Sequence, residues 1–75
     1  MSFTIANLKV GEKGIIQDFD FESIPLTLLE MGCLPGIEVE LIQIAPLHDP
    51  LYIRVNDSHL AIRKDTAKHI TITKK

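Results

Sequence analysis

Three short runs in the second half of the chain alternate apolar with polar residues, and this period of two constrains the fold more than any other feature. The runs are residues 38–41, 51–55 and 59–63. Successive side chains of a β-strand point to opposite faces, so each run predicts a strand with one buried face. The predicted inward set is Val39, Leu41, Leu51, Ile53, Val55, Leu60 and Ile62, and the predicted outward set is Glu38, Glu40, Tyr52, Arg54, His59 and Arg63.

The connections between these runs predict how the strands follow one another. Ile42 and Ile44 are both apolar, so the alternation slips after Leu41 and indicates a β-bulge. Asn and Asp tolerate positive φ, so Asn56-Asp57 predicts a two-residue hairpin turn. Residues 10–14, which include Gly11 and Gly14, predict a turn that leads into a further strand at residues 15–19. Another strand is expected around residues 70–72, with one helical turn at residues 64–67 capped by Asp65. About five short strands with one small helix indicate a mainly β fold, a small β-barrel.

The small helix is expected between Ser23, a residue type that caps helix N-termini, and Gly32, a residue type that follows helix C-termini. Its buried face would carry Ile24, Leu28 and Met31, which are spaced i, i+4, i+7. Beyond it, Gly32, Pro35 and Gly36 predict structural turns, because glycine permits positive φ and proline fixes φ. Such a rigid corner would present Glu30, Cys33 and Leu34 to a partner at little entropic cost.

Length and charge limit the classes of function. A chain of 75 residues supplies one hydrophobic core, so residues 1–75 predict a single domain. The net charge of −2 and the scattered lysines and arginines disfavour nucleic-acid binding. No apolar run is long enough to enter a membrane as a span, and one cysteine without a disulfide partner suits a reducing cytoplasm.

Segments spread over nearly the whole chain share an order and spacing that is more specific than any one of them. They are Leu28-Leu29-Glu30-Met31-Gly32, Leu34-Pro35-Gly36, Ala45-Pro46-Leu47, Asp49-Pro50, Leu60-Ala61-Ile62-Arg63 and Ala67-Lys68-His69-Ile70. In this arrangement the sequence resembles the FeoA family. The resemblance implies an SH3-like barrel and a cytoplasmic accessory role in bacterial ferrous iron uptake. The implied partner is a FeoB-like membrane transporter with a cytosolic GTPase domain, whose transport or GTP hydrolysis the protein would modulate.

Two other functions stay open at this point. The first is an iron-responsive, metal-binding domain like the C-terminal SH3-like domain of iron-dependent repressors. The second is a small RNA-binding barrel, which the low positive charge disfavours. We expect no enzyme, because the residues show no nucleophile with a matching base and so small a barrel offers little concave volume.

The candidate site residues follow from expected exposure. We expect a partner to contact Glu30, Cys33 and Leu34 at the corner and Leu47, His48 and Tyr52 in and after the loop of residues 45–50. A lone cysteine in an apolar context is also typical of a small buried hydrophobic residue, so both interpretations of Cys33 are open. The three histidines lack metal-ligand spacing, so we expect no dedicated metal site and no cofactor, only weak Fe²⁺ binding at His48 with Asp49 or His59 with Asp57. Weak self-association through an edge strand also stays open.

Overall fold

The computed structural model describes residues 3–19 and 21–75 and holds five β-strands within them. The predicted domain also includes Met1, Ser2 and Asp20, which lie outside the described residues. The strands are β1 Lys13–Ile16, β2 Glu38–Ile44, β3 Leu51–Val55, β4 Ser58–Ile62 and β5 Ile72–Lys74. The helices are α1 Leu26–Glu30 and α2 Lys64–Ala67, with 3-10 turns at Ile5–Asn7, Phe21–Ser23 and Pro46–His48. None of the described helices has the length and apolar character that crossing a membrane requires.

The strands form one antiparallel sheet in the order β4-β3-β2-β1-β5. β4 and β5 are its two edges, so the sheet is barrel-like without being closed by a ladder between them in the described part of the chain. An isolated bridge between Thr4 and Thr71 adds the N-terminal segment beside β5. The molecule measures 28 × 24 × 24 Å, so every site lies close to the single core.

One face of the sheet supplies about half of that core. Six members of the predicted inward set are buried, and Leu60 is partly buried and packs against the others, so this prediction is confirmed. Residues outside the sheet supply the other half, among them Ile5 and Ile70, which have no exposed surface. The described core contains no buried polar or charged side chain, so its packing is stabilised by hydrophobic burial.

The predicted bulge and hairpin are both confirmed. The register between β2 and β3 shifts between Leu41 and Gln43, which leaves Ile42 as the extra residue. The shift leaves Leu41 in the core and exposes Ile42 beside it. Asn56 has a φ of 56° in the two-residue turn between β3 and β4, a conformation that asparagine adopts more readily than most residues.

The first and last strands along the chain begin or end at residues that the sequence did not predict. β1 spans residues 13–16 rather than 15–19, because Gly14, assigned to a turn, lies inside the strand. A side chain at Gly14 would meet the Cδ1 atom of Ile72 at 2.6 Å, so glycine is what permits β1 and β5 to approach. At the C-terminus, Ile70 is buried but precedes the strand, which starts at Ile72.

The helix predictions are correct in type and wrong in detail. α1 begins at Leu26 with Pro25 as its N-cap, whereas Ser23 lies in a separate 3-10 turn. Met31 is the C-cap and is 43% exposed, so its predicted burial is wrong. The cause is the short length of α1. The helix ends at Glu30, so residue 31 does not follow the helical spacing that would place it on the same face as Leu28. In α2 the N-cap is Arg63 rather than Asp65.

Candidate partner-binding surfaces

The segment after α1 is a Schellman motif, a turn that closes a helix with two backbone hydrogen bonds. Gly32 has a φ of 97° and donates from its N–H to the carbonyl oxygen of Leu29 at 3.1 Å. Cys33 donates from its N–H to the carbonyl oxygen of Leu28 at 3.0 Å. In this motif the residue after the glycine commonly packs against the helix, and both Cys33 and Leu28 are buried.

Cys33 is therefore not a surface residue, which corrects the prediction that a partner contacts it. Its side chain has no exposed area. Burial raises the pKa of the Cys33 thiol to about 11, so the thiol is protonated and unreactive at neutral pH. The sequence signal for the burial of Cys33 is Gly32, because in a Schellman motif the residue after the glycine that ends the helix packs against the helix.

A second turn follows directly and is hydrogen-bonded to the sheet. Ile37 donates from its N–H to the carbonyl oxygen of Leu34 at 3.2 Å, and Gly36 between them has a φ of 90°. Proline followed by a glycine of positive φ is the pattern of a type II turn. Gly36 also donates to the carbonyl oxygen of Ile16 at 2.7 Å. Gly32, Pro35 and Gly36 thus occupy turns whose backbone is fixed by hydrogen bonds.

α1 and the two turns after it expose several apolar side chains from one short segment. Leu26 is 68% exposed, and Met31 and Leu34 are exposed to a lesser degree. Glu30 is exposed beside them. We call Leu26, Glu30, Met31 and Leu34 the corner surface. Sequence reasoning missed Leu26 and Met31, although the position of Leu26 off the Ile24–Leu28 face indicated its exposure.

The loop between β2 and β3 exposes a second apolar side chain in an unusual backbone conformation. Leu47 is 94% exposed with a φ of 70°, and His48 follows with a φ of 67°. Left-handed backbone costs a residue with a side chain about 1–2 kcal/mol, so the rest of the loop must hold Leu47 there. Ala45 does this in part, donating to the carbonyl oxygen of Pro50 at 3.1 Å and accepting from the N–H of His48 at 2.9 Å.

Tyr52 is the first residue on the exposed face of β3 and lies next to this loop. It lies opposite Ala61 on β4 and Gln43 on β2. An apolar groove on this face is lined by Ile42, Tyr52, Ile53, His59, Leu60 and Ala61. We call Leu47, His48, Ile42 and Tyr52 the loop surface, in which Ile42 was not predicted from the sequence.

The two surfaces lie at opposite ends of β3. The corner packs against the β3–β4 turn, since a side chain at Gly32 would meet the Nδ2 atom of Asn56 at 3.0 Å. Asn56 follows the last residue of β3, whereas Tyr52 is its second residue. With about 3.3 Å per strand residue, the two surfaces are separated by roughly 13 Å along the strand. The predicted residues therefore form two candidate surfaces rather than one.

Several charged side chains on and beside the sheet are paired with one another. Arg54 contacts Glu40 at 2.5 Å across β3 and β2, and Lys74 contacts Glu12 at 2.6 Å. The hydrogen bond from Lys74 lowers the pKa of Glu12, and that from Lys75 lowers the pKa of Glu38. Among the described residues, six of the seven exposed large hydrophobic side chains lie in the corner and loop surfaces, and the seventh is Val10.

The histidines lie on separate elements. His48 is in the loop, His59 is on β4 and His69 follows α2, and all three are exposed. Within residues 3–19 and 21–75, no group of three or more His, Cys, Asp or Glu side chains is arranged to hold a metal ion.

Comparison with known families and relatives gives a consistent result. The model of the FeoA domain family matches residues 3–74. Over 69 residues, covering 91% of this chain, the sequence is 29% identical to the Fe(2+) transport protein A/Fe(2+) transporter FeoB fusion protein of Porphyromonas gingivalis. The chain spans only 8% of the length of that fusion protein.

Solved structures share the fold. The solution structure of iron(II) transport protein A from Clostridium thermocellum superposes with a TM-score of 0.84 at 26% identity, covering 96% of this chain and 45% of that one. FeoA of Stenotrophomonas maltophilia, a prokaryotic SH3 domain protein crystallised with zinc, gives a TM-score of 0.82 at 21% identity. That match covers 99% of this chain and 96% of the other. The predicted mainly β, SH3-like fold is confirmed.

Proposed function

The chain belongs to the FeoA domain family, and on this premise we propose that it is a cytoplasmic, non-enzymatic accessory protein of bacterial ferrous iron uptake. In this proposal it binds the cytosolic part of a FeoB-like transporter and modulates transport or GTP hydrolysis by that transporter. The protein would act by contact alone and would need no cofactor.

One observation carries the proposal. In the P. gingivalis relative, transport protein A and the transporter FeoB are fused in one polypeptide. Linking two binding partners raises their effective concentration for each other, so a fusion favours proteins that act in contact. A domain of the same family would make that contact through its own exposed surface.

The corner surface is our first candidate for this contact. Energetically important interface residues are usually apolar or aromatic and lie where they become fully desolvated. Leu26 on α1, with Met31 and Leu34 at the two hydrogen-bonded turns, provides such side chains on backbone that is already fixed. Little conformational entropy is then lost on binding. The loop surface, with Leu47 and Tyr52, is the second candidate.

The test is retention of the purified chain on immobilised cytosolic domains of the FeoB-like transporter. Leu34→Asp alters the corner surface, and Leu47→Asp alters the loop surface. Val10→Asp is the matched control, because Val10 is an exposed apolar residue outside both surfaces. We expect Leu34→Asp to weaken binding about tenfold or more and Val10→Asp to leave it unchanged.

Two results would contradict the proposal. Absence of binding by the unaltered chain, with both proteins folded by circular dichroism, would remove the transporter as partner. Retention of binding by both Leu34→Asp and Leu47→Asp would place the contact outside the two surfaces. The rate of GTP hydrolysis by the transporter domains, with and without the chain, then measures whether binding modulates activity.

A further inference from the structure

β4 presents an open edge of the sheet. It pairs with β3 on one side, and within the described residues no strand pairs with its other side. Val55 and Ser58 flank the two-residue turn and so form a hydrogen-bonded pair, after which such pairs alternate along an antiparallel ladder. The backbone N–H and C=O groups of His59 and Ala61 therefore point away from β3.

The sequence of β4 lacks the features that usually prevent strand addition. Natural sheets protect their edges with short strands, charged side chains, proline or bulges. The other edge follows this rule: β5 has three residues and carries Lys74, which pairs with Glu12. β4 has five residues in the sequence Ser-His-Leu-Ala-Ile, which includes no acidic residue, lysine, arginine or proline.

Opposite charges stand at the two ends of β4. Asp57 precedes the strand, and Arg63 follows it with the backbone still extended at φ −67° and ψ 145°. Both side chains are exposed, and neither belongs to an ion pair among the described residues. A strand with a negative beginning and a positive end is complementary to an antiparallel copy of itself.

We propose that β4 pairs with β4 of a second copy of this chain, antiparallel and symmetric about Leu60. In that register the outward backbone groups of His59 bond those of Ala61 in the partner copy, and Asp57 lies opposite Arg63. A symmetric register shifted by one residue, centred on His59 or Ala61, loses this charge pairing. The interface is isologous, since each contact occurs twice around a two-fold axis.

The dimer would be weak and concentration-dependent. A single pair of edge strands buries less than the roughly 1,200 Å² at the lower limit of stable interfaces. The apolar groove beside Ala61 adjoins the line along which the two β4 strands pair, so Tyr52 and Leu60 add a small apolar contribution to the stability of the dimer. This inference is independent of the transporter proposal, because it concerns the chain alone.

Charge exchange tests the register directly. Sedimentation velocity from micromolar to millimolar concentration should show a monomer–dimer equilibrium for the unaltered chain. Arg63→Asp and Asp57→Arg each place like charges opposite one another, so each variant should dimerise about tenfold more weakly. An equimolar mixture of the two variants pairs opposite charges again and should recover the heterodimer.

Ala61→Pro adds a second line of evidence, because it removes an outward N–H that β3 does not use. It should also abolish dimerisation, with circular dichroism checking that the fold is kept. The proposal is overturned if the unaltered chain is monomeric throughout, or if the single charge variants dimerise as well as the unaltered chain. It is equally overturned if the mixture stays monomeric. A monomeric chain whose Arg63→Asp variant loses transporter binding would assign the edge to the transporter.

Discussion

The Oδ1 atom of Asp49 accepts a 3.0 Å hydrogen bond from the backbone N–H of Lys64, the first residue of α2. The first N–H groups of a helix have no partner within the helix, and the N-cap Arg63 makes no side-chain cap bond. Asp49 thus caps α2 from the loop that carries Leu47. The bond connects the loop of residues 45–50 to the start of α2, just after β4.

Asp49→Ala should lower the free energy of unfolding by about 1 kcal/mol, since losing a helix N-cap typically costs this much. Urea denaturation measures the change. Asp65→Ala is the matched control, because Asp65 is highly exposed in the first turn of α2 and makes no cap bond. If both variants are equally stable, the bond from Asp49 contributes nothing to the fold.

The sequence predicted the sheet well because burial in a strand follows a local period of two. Val39 and Leu41 are buried where that period placed them, and the break in the period located the bulge at Ile42. β1 was placed too late because Gly14 was read as a turn residue. Its actual role, close packing against Ile72, depends on a strand that is distant in the sequence.

The candidate site was less predictable because exposure at a turn depends on where a helix ends. Ending α1 at Glu30 exposes Met31 and brings Cys33 into the core. The cap from Asp49 to Lys64 had no sequence signal, since its partners are 15 residues apart and meet only through the β3–β4 hairpin. Exposure of Leu47, in contrast, was expected from a loop with proline near each end.

Leu28 and Met31 test where the buried face of α1 ends. Leu28→Ala should lower the free energy of unfolding by about 2–5 kcal/mol, because Leu28 is buried in the core. Met31→Ala should change it by less than about 1 kcal/mol, because the exposed side chain leaves no comparable cavity. Thermal or urea unfolding compares the two. Equal losses would mean that Met31 packs in the core after all.

Gly14→Ala should destabilise the protein by about 1–3 kcal/mol through overpacking. The new Cβ atom would lie 2.6 Å from Cδ1 of Ile72 and 3.1 Å from the carbonyl oxygen of Thr73. Ile72→Val removes that Cδ1 atom, so it should cost less in the Gly14→Ala background than in the unaltered chain. A double-mutant cycle of unfolding free energies measures the coupling, and strict additivity would contradict this cause.

Leu47→Gly should raise the free energy of unfolding by about 0.5–1 kcal/mol, because glycine adopts positive φ without the steric cost that leucine carries. Little packing is lost, since the Leu47 side chain is almost fully exposed. Leu47→Ala is the control: it removes the same side chain but keeps the strained φ, so its stability should stay within about 0.5 kcal/mol of the unaltered chain. If the Leu47→Gly variant were no more stable than the Leu47→Ala variant, the backbone of the loop would be unstrained at this residue.

Cys33 should make the protein less stable as pH rises through the alkaline range. Burial raises the pKa of its thiol from 9.0 to about 11, so the native state keeps a proton that the unfolded state releases first. The resulting stability is complete below pH 9.0, and an amount on the order of 2 kcal/mol is lost between pH 9.0 and about 11. Cys33→Ala has no such proton, while its other titrating groups are unchanged. The difference in unfolding free energy between the two chains should therefore shrink over that range, and a constant difference would show that the thiol is not desolvated.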